Sequence, residues 1–96
     1  MIEEPRRLAR RVRALNEATD NARGSAYSQD GTVFLEVNTL GAITSIWLAD
    51  HANERGMDVL ADLIIATHQK ARKAAIAEGQ RIYDRFVAEG SAGGLK

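Results

Sequence analysis

The stretch Gln29-Asp30-Gly31-Thr32-Val33-Phe34-Leu35-Glu36-Val37 decides the fold, together with Asn38-Thr39-Leu40-Gly41-Ala42-Ile43-Thr44-Ser45-Ile46-Trp47-Leu48, which follows it directly. Asp30-Gly31 is a strong short-range hairpin signal, because both residues accept the left-handed backbone that tight turns require. Val33, Leu35 and Val37 then alternate with Phe34, Glu36 and Asn38, the period-2 pattern of a strand. Asn38-Thr39-Leu40-Gly41 reads as a second turn. Ala42 to Leu48 is rich in β-branched and aromatic residues and reads as a further strand. Ala26-Tyr27-Ser28 supplies a short first strand. Three strands joined by two tight turns predict an antiparallel meander.

The meander carries apolar residues on both faces. Val33, Leu35 and Val37 share one, and Phe34 lies on the other. Strict alternation in the last strand sets Ile43 and Trp47 against Ile46 and Leu48. A sheet with one wet face alternates more cleanly, so something must cover both sides. The candidates are the chain's own helices and a second copy of the chain.

Outward from the meander the period becomes helical. Residues 5–22 predict a helix, with Pro5 in the first turn and Glu3 and Glu4 where the helix dipole favours negative charge. Leu8, Val12, Leu15, Thr19 and Ala22 form a narrow apolar stripe, more a seam against a partner than a deep core face. Asn21, Gly24 and Ser25 read as stop signals. Residues 56–90 predict a long helix. Leu60, Ile64, Thr67, Ala71 and Ala74 make one stripe, Ile65, Ile76, Tyr83 and Phe86 lie beside it, and Gly79 is a weak point. Gly90-Ser91-Ala92-Gly93-Gly94 predicts its end and the start of a flexible tail over residues 91–96. The predicted class is α+β: a helix, a three-stranded antiparallel meander and a long C-terminal helix in one domain over residues 1–90. A helix of about 50 Å overhangs a domain this small, which points to a second subunit for it to lie on.

Composition removes whole classes of function. With no cysteine there is no disulfide framework, thiol nucleophile or cysteine zinc site. Val59 to Ala66, the most apolar run, is interrupted by Asp62 and falls far short of the roughly 20 residues that span a bilayer. The opening Met-Ile-Glu-Glu-Pro-Arg-Arg leads into no apolar segment, so neither a secretory signal nor membrane association is expected, and the expected location is the cytoplasm. His51 and His68 form no ligand pair. Asp58 and Asp62 stand four apart but read as dipole complements at a helix start, and no glycine pattern matches a phosphate loop. Nothing points to catalysis, a metal or a cofactor.

Net charge is zero but unevenly spread. Residues 1–13 hold five arginines against Glu3 and Glu4, a net of +3, while residues 14–62 carry a net of −6 and residues 63–96 a net of +3. Arg6, Arg7, Arg10, Arg11 and Arg13 crowd eight positions of the first helix. Arg6/Arg10 and Arg7/Arg11 are like-charge pairs one helical turn apart, which weaken the helix, and Arg13 is partly relieved by Glu17. Guanidinium groups suit bidentate phosphate contact, so this cluster is the candidate DNA-binding site. The other reading is a solvated face paired with acids of the middle segment, across a dimer for example. Lys70, Arg72 and Lys73 form a weaker second cluster, read as a solvated face.

The order of elements resembles the YbaB/EbfC family of bacterial nucleoid-associated proteins. The resemblance is carried by Asp30-Gly31-Thr32-Val33-Phe34-Leu35-Glu36-Val37, by Gly41-Ala42-Ile43-Thr44-Ser45-Ile46-Trp47-Leu48, by Gly56-Met57-Asp58-Val59-Leu60-Ala61-Asp62-Leu63-Ile64 at the start of the last helix, and by His68-Gln69-Lys70-Ala71-Arg72-Lys73-Ala74. It implies an intertwined, non-enzymatic homodimer that binds DNA with little sequence preference. The matching basic positions are Arg6, Arg7, Arg10, Arg11 and Arg13. A rival expectation, from relatives linked to type VII secretion loci, is a protein-interaction adaptor whose partner docks on the Leu8–Val12–Leu15 seam.

Overall fold

The computed structural model describes the backbone of residues 4–94 and the side chains of residues 4–90. The dipole role expected of Glu3, and Leu95 and Lys96 of the expected tail, lie outside the described residues.

Helix α1 runs Pro5–Asn21. Glu4 caps it: its two carboxylate oxygens accept the backbone N–H groups of Arg6 and Arg7, each at 3.0 Å, satisfying donors that have no partner inside the helix. Ala22 is already extended, and strand β1, Arg23–Tyr27, follows at once. Gly24 and Ser25, expected as stop signals, are therefore strand residues, and β1 starts three residues before the expected Ala26.

The turn to β2 (Val33–Asn38) is built by Asp30 and Gly31. Asp30 Oδ1 accepts from Ser28 Oγ at 2.7 Å, Thr32 Oγ1 at 2.7 Å and Thr32 N–H at 3.1 Å, while Gly31 takes φ +76°. These hydrogen bonds, that from the Thr32 hydroxyl above all, hold the Asp30 carboxyl at about 2, below its ordinary 3.8. The second turn uses Asn38, whose Oδ1 accepts from Leu40 and Ala42 N–H, with Gly41 at φ +85°. Strand β3 is Ile43–Leu48, and the sheet order is β1-β2-β3 with both pairs antiparallel.

The register carries one irregularity. Glu36 faces Ser45 but Val37 faces Ile43, so Thr44 is an extra residue in β3. The bulge moves Ile43 across the sheet. Strict alternation puts Ile43 with Trp47; in the structure Ile43, Ile46 and Leu48 lie opposite Val37, Leu35 and Val33, and Trp47 lies opposite Phe34 on the other face.

Helix α2, Met57–Gly94, is 38 residues long and unbroken through Gly79 and Gly90. It continues past the end expected at Gly90, since a single helical glycine costs only about 1 kcal/mol. Its N-terminal half lies on the sheet. Val33, Leu35 and Val37 are fully buried with Ala71 and Ala75, and Leu60 and Ala52 close the cluster. Gly24 lets α2 rest directly on β1: a Cβ there would stand 2.1 Å from the Ala75 nitrogen and 2.3 Å from the Ala71 oxygen.

The C-terminal half of α2 leaves the sheet behind and carries α1 antiparallel beside it, Thr19 near Gly79 and Arg11 near Phe86. The molecule is a rod of 62 × 18 × 15 Å with a radius of gyration of 18.6 Å, against about 13 Å for a compact chain of this size. We call the helical end the arm.

Candidate nucleic-acid interface

A helix advances about 100° per residue, so Arg6, Arg10 and Arg13 fall within about 60° of one another and form one ridge along α1. Arg7 flanks it. All four are exposed. Among the described residues their side chains form no ion pair or hydrogen bond, so neither the Arg13–Glu17 pair nor a pairing with the acidic middle segment is present within the chain. The ridge rises about 10 Å from Arg6 to Arg13, the axial span of about three phosphates of one B-DNA strand. The arm thus carries a compact, unneutralised row of guanidinium groups.

Arg11 is different. It lies about 140° around the helix from Arg6 and turns toward α2. Its Nη2 donates to the Phe86 carbonyl at 2.8 Å, and its guanidinium carbon sits 4.4 Å from the centroid of the Phe86 ring. Five neighbouring arginines therefore divide into four that face solvent and one that faces the other helix. The signal was in the spacing: Arg11, Leu15 and Ala18 recur at steps of four and three on the side of α1 that meets Ile82 and Phe86.

The second basic cluster, Lys70, Arg72 and Lys73, is exposed on α2. Beside it His68 Nε2 lies 2.7 Å from the Gly41 carbonyl; a carbonyl only accepts, so this nitrogen donates and ties the β2–β3 turn to α2. Arg81 pairs with Glu78 on the arm and holds the Glu78 carboxyl below the usual range. Among the described residues no group of three or more His, Asp or Glu could hold a metal, and no helix is long and apolar enough to cross a membrane.

The remaining exposed surface is apolar. α2 covers β1 and β2 but leaves β3 outside, so Ile43, Ile46 and Leu48 are 50%, 50% and 40% exposed on the helix side of the sheet. On the other face Tyr27 and Phe34 meet at a tilt of 49° with ring centroids 4.9 Å apart, beside the half-exposed Trp47. On the arm, Leu8 and Val12 of α1 and Ile76, Tyr83 and Val87 of α2 are exposed, and no residue of α1 is buried.

The sequence profile of the YbaB/EbfC DNA-binding family matches residues 1–90. The chain belongs to this family. Its membership makes it a DNA-binding protein of the bacterial nucleoid-associated kind. Its fold is similar to that of a crystal structure of the uncharacterized protein HP0035 from Helicobacter pylori, with a TM-score of 0.65 at 14% identity over 82% of this chain and 84% of that one. No curated protein matches the sequence.

Proposed function

We propose that the protein works as a homodimer that grips the DNA backbone through the arms, without catalysis and with little sequence preference, in the cytoplasm at the nucleoid. The observation that carries this reading is the exposed ridge Arg6–Arg10–Arg13 with Arg7 beside it, four guanidinium groups with no partner within the described chain. Phosphate contacts of this kind give affinity and position without reading bases. Two copies are supported by β3: its six residues are all exposed, and Ile43, Ile46 and Leu48 continue the core face beyond the reach of α2. A second chain covering them completes a core that one chain leaves open.

The test is a titration of unrelated duplex DNAs across a salt series. Up to eight arginines from two arms predict a slope of log K against log salt of about −4 to −7. Changing Arg6, Arg7, Arg10 and Arg13 together to alanine abolishes binding while the dimer survives in sedimentation. A flat salt dependence, or full binding by that variant, refutes the reading.

One observation favours a second reading, the protein-interaction adaptor: Leu8 and Val12 are exposed on the arm, as a docking seam requires. In that case changing both to serine loses a protein partner in a pull-down and leaves DNA binding intact.

A further inference from the structure

We infer that Arg11 is not one of the DNA contacts but a positioning residue: its guanidinium straps α1 to α2 and so holds the arginine ridge in place. The inference rests on the DNA reading above for its functional consequence, and on the arm's geometry alone for the strap.

Helix α1 needs such a device. It buries no residue, packs on the rest of the molecule chiefly through α2, and carries like charges one turn apart at Arg6 and Arg10. A helix of 17 residues is marginal in water without tertiary support. The support on its inner side is Leu15, Ala18 and Thr19, all only half-buried, and Thr19 spends its hydroxyl on the Leu15 carbonyl of its own helix.

Arg11 joins the two helices in several ways at one place. Its Nη2 gives a charge-assisted hydrogen bond of 2.8 Å to the Phe86 carbonyl, whose second lone pair is free of the helix ladder. The planar group lies over the Phe86 ring at 4.4 Å. Its far end occupies the space left by Gly90, where a Cβ would stand 2.8 Å from Nη2 and 3.1 Å from Nη1. In this seat the guanidinium is turned toward α2 and away from the ridge of Arg6, Arg10 and Arg13. Preorganising the ridge in this way removes ordering cost from DNA binding, which is how a residue that touches no DNA strengthens it.

The test compares R11Q, R11K and G90A with R10A in the full chain, reading amide hydrogen exchange of α1 and the salt slope of DNA binding. G90A leaves every charge in place and fills the seat; R11K keeps the charge and loses the planar fork. R11Q and R11K are expected to speed exchange across α1 and weaken DNA binding by about tenfold, with the salt slope of R11Q unchanged; G90A, to which only the flexible end of Arg11 has to yield, is expected to act in the same direction and more weakly. R10A removes the like charge facing Arg6, so it is expected to leave α1 exchange no faster than in the unaltered protein and to make the slope shallower by about 0.9 for each phosphate it leaves unneutralised. The double variant R11Q/G90A should be no worse than R11Q, since both substitutions undo the same strap. Unchanged α1 exchange in R11Q and R11K overturns the strap, and a shallower slope in R11Q overturns its exclusion from the DNA surface. If the unaltered protein binds no DNA, the DNA reading fails, and the exchange measurement alone upholds or overturns the strap.

Discussion

Replacing Gly24 with alanine tests the packing that fixes the sheet to α2. The added Cβ would lie 2.1 Å from the Ala75 nitrogen, 2.3 Å from the Ala71 oxygen and 2.7 Å from the Ala74 carbonyl carbon. All three are backbone atoms in the middle of a helix, so no rotamer change relieves the overlap. Reaching ordinary contact requires β1 and α2 to separate by about 1.3 Å, whereas a gap of only about 0.5–1 Å already forfeits a quarter to a half of the dispersion attraction across it. The side chains beneath that gap are Val33, Leu35 and Val37, each fully buried. Burial of each is worth about 1.5–3 kcal/mol, so the lost fraction comes to about 3 kcal/mol. That is a large part of the stability of a small domain and lowers Tm by about 12–24 °C. The assay is thermal unfolding by circular dichroism at matched protein concentration, since association shifts Tm. A fall of less than about 4 °C would mean that α2 does not rest on β1 at this point.

Gly79 gives the opposite result. A Cβ there meets only the Thr39 methyl at 3.2 Å, inside a continuous helix, so Gly79→Ala gains up to about 1 kcal/mol of helix propensity and Tm holds or rises. Ser28→Ala removes the acceptor for the Val33 N–H, a buried pair at 3.0 Å, and lowers the urea-unfolding free energy by about 1–3 kcal/mol. Asp30 makes the hairpin acid-sensitive. Its folded value of about 2 lies below the ordinary 3.8, so its contribution is fully present above about pH 4 and is lost as pH falls through 2. The unfolding midpoint of Asp30→Asn should vary less between pH 4 and pH 2 than that of the unaltered protein, and equal pH dependence in the two would show that the turn does not hold this carboxyl.

How far the residues announce the molecule depends on the range of the contact concerned. Asp30-Gly31 and the alternation of Val33, Leu35 and Val37 are local signals, and they read correctly because turn geometry and strand period act over a few residues. Gly24 looked like a helix stop because its real constraint, the backbone of Ala71 and Ala75, lies almost 50 positions away. The Thr44 bulge has no signature in β3 itself: Thr44 Oγ1 bonds Glu36 on the neighbouring strand, and only the pairing shows that Ile43 changes face. The arginines were legible as a cluster and not as a surface. Composition counts all five alike, whereas among the described residues Arg11 is seated against Phe86 and Gly90 at the far end of another element.

Because α2 runs without a joint from the sheet to the arm, the arm behaves as a lever. From Ala75, where the helix last bears on Gly24, to Gly94 the axis extends about 28 Å. A tilt of about 10° at the sheet therefore sweeps the far tip by about 5 Å, more than the 3.4 Å axial step between neighbouring phosphates of one strand. On the proposed backbone-binding reading, small substitutions beneath the helix, remote from Arg6, Arg7, Arg10 and Arg13, would retune which phosphates that row can meet.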